Sequence, residues 1–166
     1  MSDLTVRPAT DDDWPRIWPF FDAIVQAGET YAFPTGLTVE TGRPWWMEQP
    51  PSCTLVAVDP DGAVLGSAKW GPNRPGRGAH VSTASFMVDP AARGRGVGRL
   101  LAQHVVGAAR EAGYDGMQFN AVVETNTAVV ALWRSLGFQV VGTVPGAFDS
   151  ATHGKVGLHV MYLPFR

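Results

Sequence analysis

Residues 86–101 constrain the fold more than any other part of the chain. An apolar, strand-like run at residues 86–88 leads through a turn of Arg and Gly into an amphipathic run of helical period. Glycine lets the backbone approach a ligand closely, and the first turn of a helix exposes unsatisfied N–H groups at its positive dipole end. The segment therefore predicts a strand–loop–helix unit that binds a phosphate or pyrophosphate, with added positive charge from Arg93, Arg95 and Arg99.

Two common phosphate-binding motifs do not fit this segment. A P-loop has Lys and then Ser or Thr after its glycines, whereas Val97 and Arg99 flank Gly98 here. A dinucleotide-binding fingerprint has a third glycine three residues after its second, and Arg99 occupies that position. Both nucleotide-binding classes are therefore disfavoured.

The segment instead resembles the acetyl-CoA signature of the GCN5-related N-acetyltransferases. That signature, Arg/Gln-x-x-Gly-x-Gly/Ala, is filled by Arg93, Gly96 and Gly98. A second signature of the family follows at a suitable separation, with Asn126 before a helix and a hydrophobic-aromatic-x-x-x-Gly-Phe pattern that contains Trp133. The resemblance covers about residues 4–165 and is strongest over residues 84–145.

The pattern of elements is consistent with this resemblance. Periodicity and turn residues predict the order β-α-α-β-β-β-α-β-α-β-β in one domain of residues 1–166. The fold class is α/β (α+β), a mixed central sheet of about seven strands with about four helices. In the family that the chain resembles, strands four and five splay apart. The last two strands are expected at residues 139–144 and 156–163, with turns between them.

Composition narrows the partners and the compartment. The chain has 166 residues, a net charge of -2 and no run of basic residues, so no nucleic-acid partner is expected. No apolar run approaches the length of a membrane span, and four histidines without ligand spacing predict no metal site. One cysteine excludes an internal disulfide and favours a cytoplasmic location.

The resemblance implies acetyl-CoA as co-substrate and a set of residues that contact it. The backbone of the fourth strand would bond the pantetheine arm, and an N–H near Met87 or Val88 would hold the oxyanion of the tetrahedral intermediate. Asn126 would either hold the arm or cap the following helix. The expected cofactor-binding residues are Phe86, Met87, Val88, Arg93, Gly94, Arg95, Gly96, Val97, Gly98, Arg99, Asn126 and Trp133.

Proton transfer would need a base, because a free alkyl amine is protonated at neutral pH. Glu124 is the first candidate, since it follows strand five, and Glu29 is the second; either could instead be a solvated carboxylate. Trp133 stands where the family often has a Tyr that protonates the leaving thiolate, so Tyr31 or water would have to serve. Trp133 would pack against the cofactor or the core.

The acceptor region resembles one subgroup of the family. Glu29, Thr30 and Phe33 match a Glu-Thr-x-x-Phe pattern of enzymes that acetylate phosphinothricin or methionine sulfoximine, and Asn120 with Asn126 matches acetyltransferases of azetidine-2-carboxylate. The resemblance implies a small-molecule amine acceptor and a role in detoxification, and it allows a homodimer. The expected acceptor-site residues are Glu29, Tyr31, Phe33, Trp70, Asn120 and Phe148, with Asn120 also counted as catalytic.

Two other functions remain open from the sequence. A protein or peptide N-acetyltransferase would need an open groove for a chain terminus or a lysine. A non-catalytic acyl-CoA sensor would be consistent with the lack of Tyr at position 133. Measurable turnover of any amine would exclude the non-catalytic sensor and leave the two enzymatic functions.

Overall fold

Strands and helices follow one another in the order that the sequence predicts. The computed structural model describes residues 3–166; Met1 and Ser2, which belong to the predicted domain of residues 1–166, lie outside the described residues. The strands are β1 Thr5–Pro8, β2 Cys53–Val58, β3 Val64–Pro72, β4 Val81–Val88, β5 Gly116–Val123, β6 Gln139–Ser150 and β7 Gly154–Pro164. The helices are α1 Trp14–Ala27, α2 Val39–Trp46, α3 Val97–Glu111 and α4 Thr127–Ser135.

One seven-stranded sheet runs through the described residues in the order β1-β2-β3-β4-β5-β7-β6. Its neighbouring strands are antiparallel except for β4 and β5, which are parallel. These two strands pair only at Val81 with Gly116 and at Ser82 with Met117. Beyond Ser82 they separate, which leaves unpaired strand edges facing each other. The predicted α/β class and the splayed fourth and fifth strands are confirmed.

The sheet carries a buried apolar layer on each face. The layer between the sheet and helices α3 and α4 includes Leu101, Val105 and Phe119. The layer beneath α1 and α2 includes Phe21 and Trp46. Because side chains alternate along a strand, consecutive residues of β4 contribute to opposite layers. The site that opens between β4 and β5 therefore has packed core beside it on both faces of the sheet.

A buried carboxylate fixes the start of α1. The side chain of Asp13 is 2% exposed and accepts hydrogen bonds from both guanidinium nitrogens of Arg7, at 2.7 and 2.9 Å, and from the Thr10 N–H at 2.7 Å. The hydrogen bond from Arg7 is the main reason that the pKa of Asp13 lies below its usual range. This arrangement ties β1 to the helix that leads into the loop at residues 28–38.

Asp13→Asn is expected to lower the free energy of unfolding by about 2 kcal/mol, because Arg7 loses its charged partner. The lowered pKa means that this contribution is complete above about pH 4, where the unfolded state is also ionised, and is lost as the pH falls through the folded-state pKa. Urea unfolding of both proteins from pH 7 to pH 3 measures it. Asp12→Asn, an exposed neighbour, is the control and should cost less than about 0.5 kcal/mol. A pH-independent difference between wild type and Asp13→Asn would contradict this assignment.

The last two strands are longer than the sequence predicts. The sequence predicts a sixth strand that ends at residue 144 and a seventh at residues 156–163. In the structure the register with β7 shifts between Val144 and Phe148, Gly146 takes φ 64°, and pairing then resumes to Ser150. An irregular stretch absorbs these residues without ending the strand. The β6–β7 hairpin therefore reaches back over the sheet, with its turn at residues 151–153.

Candidate active site

The separation of β4 and β5 opens a cavity of about 1170 Å³. One end is formed by the loop at residues 92–99, and the other by the loop after α1 together with the turn of the β6–β7 hairpin. The walls are mainly apolar and aromatic, with a few polar groups, which is the usual character of small-molecule sites. The cavity is large enough for two reactants placed end to end.

The loop before α3 presents open backbone donors to the cavity. Gly94 and Gly96 have φ of 79° and 76°, a conformation that favours glycine, and neither position has a neighbouring atom where a Cβ would lie. The Leu100 N–H is bonded to the Gly96 carbonyl at 3.0 Å, so the N–H groups before it lack helical acceptors. The predicted phosphate-binding loop therefore has a geometry suited to an anion.

The residues of this loop do not contribute equally. The N–H groups of Arg93 and Arg95 already face loop carbonyls, each at 3.4 Å. The side chains of Arg93 and Arg99 lie at the cavity wall, whereas Arg95 is exposed and is not part of the wall. Arg99 also donates to the Ser135 hydroxyl at 3.1 Å, which holds its guanidinium beside α4. The expectation for Arg95 as a direct contact is thus not supported by its position.

The direction of the β4 backbone decides which residues can bond a ligand in the gap. The N–H and C=O of Phe86 point into the cavity, where both contact the hydroxyl of Tyr31. The Asp89 N–H points the other way and bonds the Leu65 carbonyl of β3 at 2.8 Å. Because this direction alternates along a strand, Val88 faces the gap together with Phe86, and Met87 faces β3. Our expectation that Met87 could supply a donor to the ligand is corrected by this register.

The hydroxyl of Tyr31 contacts both backbone groups of Phe86 that face the gap. Its hydroxyl donates to the Phe86 carbonyl at 2.6 Å and accepts from the Phe86 N–H at 2.9 Å. Its ring stacks on Phe33 with a centroid distance of 5.1 Å, which sets the direction of the hydroxyl. Burial raises the pKa of Tyr31 well above its usual range. The hydroxyl therefore stays protonated and is a poor proton source.

Asn126 and Trp133 form the wall on the α4 side. Asn126 stands at the N-cap position of α4, and its side chain makes no capping hydrogen bond. Of the two expected roles of Asn126, capping α4 and holding a ligand, the free amide therefore leaves the second open, because Asn126 lines the cavity. Trp133 is 6% exposed and packs against Phe86 and Phe119 at centroid distances of 5.0 and 4.8 Å. It is both core and cavity wall, and it carries no acidic hydroxyl.

Glu29 lies at the cavity but is held by the hairpin turn. Its carboxylate accepts the Ser150 hydroxyl at 2.6 Å and the Thr152 N–H at 3.0 Å. The hydrogen bond from Ser150 is the main cause of a lowered pKa for Glu29. A base with a lowered pKa is weaker near neutral pH, so this geometry favours a positioning role for Glu29.

Glu124, the first candidate for the base, lies outside the cavity wall. Its carboxylate accepts the Gly157 N–H of β7 at 2.6 Å, and its own N–H bonds the Gly157 carbonyl at 3.0 Å. The residue thus completes the end of the β5–β7 pair. The expectation that Glu124 acts as a base is corrected on this geometry.

The remaining acceptor-site expectations divide in the same way. Phe33, Phe148 and Asn120 lie at the cavity wall. The Asn120 amide is paired with the Asn73 amide, at 2.7 and 3.3 Å, so it bridges the β3–β4 loop to β5. Trp70 lies outside this cavity and packs edge-on against Tyr114 at 6.2 Å, because its side chain lies on the α3 face of the sheet. Trp70 is partly buried and also lines a smaller pocket together with Lys69 and Asn120, so its role at the acceptor end stays a prediction.

Two wall residues were missed by the sequence reasoning. Lys69 on β3 and His153 in the hairpin turn both reach the acceptor end of the cavity. The signal for Lys69 was a charged residue within the apolar run at residues 63–70. No local signal pointed to His153, because a turn histidine acquires a role only through the fold of the hairpin.

Two other kinds of site are absent from residues 3–166. None of the described helices combines the length and apolarity that a membrane crossing requires. Over the same residues, no group of three or more His, Cys, Asp or Glu side chains is arranged to hold a metal ion.

Two parted strands beside a loop of open N–H groups define an α/β domain that can hold an anionic ligand between β4 and β5. The model of the acetyltransferase (GNAT) family matches residues 14–138. The chain therefore belongs to the acetyltransferase (GNAT) family. The family and the class of enzyme that the sequence resembles are both confirmed.

Individual relatives support this assignment. A GCN5-related N-acetyltransferase from Kribbella flavida is 62% identical with a TM-score of 0.94, and the match covers 97% of each chain. A phosphinothricin acetyltransferase from Sinorhizobium meliloti in complex with AcCoA is 25% identical with a TM-score of 0.86, over 99% of this chain and 89% of that one. The L-methionine sulfoximine/L-methionine sulfone acetyltransferase of Pseudomonas paraeruginosa is 38% identical over 92 residues, which are 55% of this chain and 53% of that protein. The chain spans about half the length of the curated relatives it matches.

Proposed function

We propose that this protein transfers the acetyl group of acetyl-CoA to the amine of a small, amino-acid-like acceptor. The observation that carries the proposal is one continuous cavity, which joins the anion-binding loop to an acceptor end closed by the hairpin turn. Such an enclosed end suits a small molecule better than a protein chain. The names of relatives that acetylate methionine sulfoximine and phosphinothricin support the same acceptor class.

The donor half of the mechanism follows from the open backbone groups. The pyrophosphate of acetyl-CoA binds the N–H groups of residues 94 and 96–98 and the positive end of α3. The pantetheine arm lies along β4, where Phe86 and Val88 face the gap, and Asn126 bonds the arm from the other side. The thioester oxygen replaces the Tyr31 hydroxyl as the acceptor of the Phe86 N–H. The hydroxyl then rotates and donates its own hydrogen bond to the same oxygen. Two preset donors stabilise the negative charge of the tetrahedral intermediate.

The acceptor half needs a route for the amine proton. Imidazole exchanges protons readily near neutral pH, and His153 lies at the acceptor end beside Glu29. We assign His153 as the proton acceptor, directly or through one water, and Glu29 as the residue that positions its turn. The neutral amine attacks the thioester carbon, its nitrogen releases its second proton to water, and collapse of the intermediate breaks the carbon–sulfur bond. The thiolate of CoA leaves without a protein acid, because a thiol of pKa about 8.5 is a fair leaving group.

The proposal includes the cell context expected from the sequence. Acetylation removes the positive charge of an amine, so an enzyme of this kind serves detoxification of amino-acid analogues in the cytoplasm. A homodimer is included because β6 is an edge strand that exposes Val141 and Val144. Sedimentation of the purified protein at micromolar concentration tests the dimer independently of activity.

A panel of acceptors tests the activity. CoA release from acetyl-CoA is measured with methionine sulfone, methionine sulfoximine, phosphinothricin, azetidine-2-carboxylate, a polyamine and a short peptide with a free N-terminal alanine. Turnover is expected with at least one amino-acid analogue and not with the peptide. Turnover with the peptide alone would favour a protein acceptor. Bound acetyl-CoA without turnover of any amine would favour an acyl-CoA sensor, and either result overturns the proposal.

A further inference from the structure

Lys69 places a positive charge at the acceptor end of the cavity. Its ammonium donates to the Trp45 carbonyl at 2.8 Å and to Glu48 at 3.1 Å. The rings of Phe33 and Trp46 lie 5.9 and 5.6 Å from the same nitrogen. An ammonium has three N–H donors, so two protein acceptors leave one donor for a ligand. The side chain is 20% exposed, and Lys69 is one of the residues that line the cavity.

The position of Lys69 relative to the reacting atoms is set by the sheet. Lys69 pairs with Ser85 across the β3–β4 register, one residue before Phe86, whose N–H faces the gap. Side chains of paired residues lie on the same face of a sheet, and for Lys69 this is the face covered by α1 and α2. The ammonium is therefore one strand away from the expected thioester, on the side from which the acceptor enters.

The other charged side chains of the cavity do not place a second positive charge at the acceptor end. Arg93 and Arg99 belong to the loop and helix that would bind the pyrophosphate. At the acceptor end the described wall residues include Lys69, Glu29 and His153, and Glu29 is held by the hairpin. Among residues 3–166, Lys69 is thus the Lys or Arg that an anionic group of the acceptor would meet there. Aromatic walls lower the local dielectric and strengthen this attraction.

We propose that Lys69 binds the carboxylate of the acceptor and thereby selects amino acids over simple amines. The inference rests on the proposed function, since it assigns the recognition of that same acceptor. With the carboxylate on Lys69, the amine is directed toward the thioester at Phe86 and toward His153. Glu48 is the carboxylate beside the ammonium, so it competes with the acceptor for the charge of Lys69.

The test compares an acceptor with its decarboxylated counterpart. KM and kcat are measured at saturating acetyl-CoA for methionine sulfone and for the amine that lacks only its carboxylate. Lys69→Met is expected to raise the KM of the amino acid by about 10- to 100-fold, the usual worth of a hydrogen bond to a charged group, with a smaller effect on kcat. The KM of the decarboxylated amine should change less than about threefold. Lys69→Arg should restore part of the preference for the amino acid.

Glu48→Gln separates recognition from a structural role of the ion pair. If Lys69 serves only to tie α2 to β3, both substitutions should raise the two KM values alike, and that result would overturn the inference. If Lys69 binds the acceptor, Glu48→Gln should lower the KM of the amino acid, because a competing carboxylate is removed. Turnover of both acceptors with equal KM in the wild type would reject the inference and leave the proposed activity standing. Failure of both acceptors, and of the whole panel, would instead reject the activity itself.

Discussion

Replacing Gly96 by glutamate is expected to weaken acetyl-CoA binding by about 1000-fold or more. The new carboxylate would stand among the N–H groups that receive the pyrophosphate, where it repels the phosphate charges and takes their donors. Gly96 also has a φ of 76°, which a side chain tolerates poorly, so part of the effect comes from a distorted loop. Isothermal titration with acetyl-CoA measures the change directly.

The control for Gly96→Glu is Gly62→Glu. Gly62 has a φ of 84°, has no neighbouring atom where a Cβ would lie and stands in the β2–β3 turn away from the cavity. Both substitutions therefore carry a similar backbone strain and the same added charge, and both should lower the melting temperature by a similar amount. Unchanged acetyl-CoA affinity in Gly96→Glu would remove the loop from the cofactor site.

Tyr31→Phe is expected to lower kcat by about 100-fold, the usual effect of losing one preset donor to an oxyanion. The variant keeps the ring that stacks on Phe33 and removes only the hydroxyl that contacts Phe86. Acetyl-CoA affinity should stay within about threefold, since the Phe86 N–H becomes free to donate a hydrogen bond to the thioester oxygen. Because the raised pKa of Tyr31 keeps it protonated, the loss in kcat should be the same from pH 6 to pH 9.

Tyr162→Phe provides the matched control. Tyr162 lies on β7 and does not line the cavity, so the loss of its hydroxyl should leave kcat unchanged. Steady-state rates at saturating concentrations of both substrates decide the comparison. If Tyr31→Phe retained wild-type kcat, the oxyanion would be stabilised by the backbone N–H alone. A loss that grew with pH would instead assign Tyr31 as a proton donor.

The donor half of the site could be predicted from sequence because its information is local. Arg93, Gly96 and Gly98 lie within one strand–loop–helix segment, and the backbone conformations of the glycines follow from their positions in it. The order of the elements was predictable for the same reason, since periodicity is read over short windows. The direction of each backbone N–H could not be predicted, because it follows from the pairing with β3. Met87 was therefore expected to contact the cofactor together with its neighbours.

The acceptor half depends on contacts between distant parts of the chain. Glu29 meets Ser150 and Thr152 only because the β6–β7 hairpin folds back over the sheet, and the length of that hairpin was underestimated. Glu124 was expected at the gap from its place after β5, but a backbone donor of β7 draws it away. Lys69 and His153 were missed because neither side chain belongs to a local motif.

The β6–β7 hairpin has a consequence for how new specificities arise. Residues 14–138 match the family and contain the whole acetyl-CoA loop, whereas the hairpin that closes the acceptor end follows at residues 139–164. The hairpin contributes Phe148 and His153 to the acceptor end, whereas Lys69 and the loop at residues 92–99 lie upstream of it. Replacing the hairpin by that of another member of the family should therefore change one wall of the acceptor end and leave the anion-binding loop and the charge of Lys69 in place.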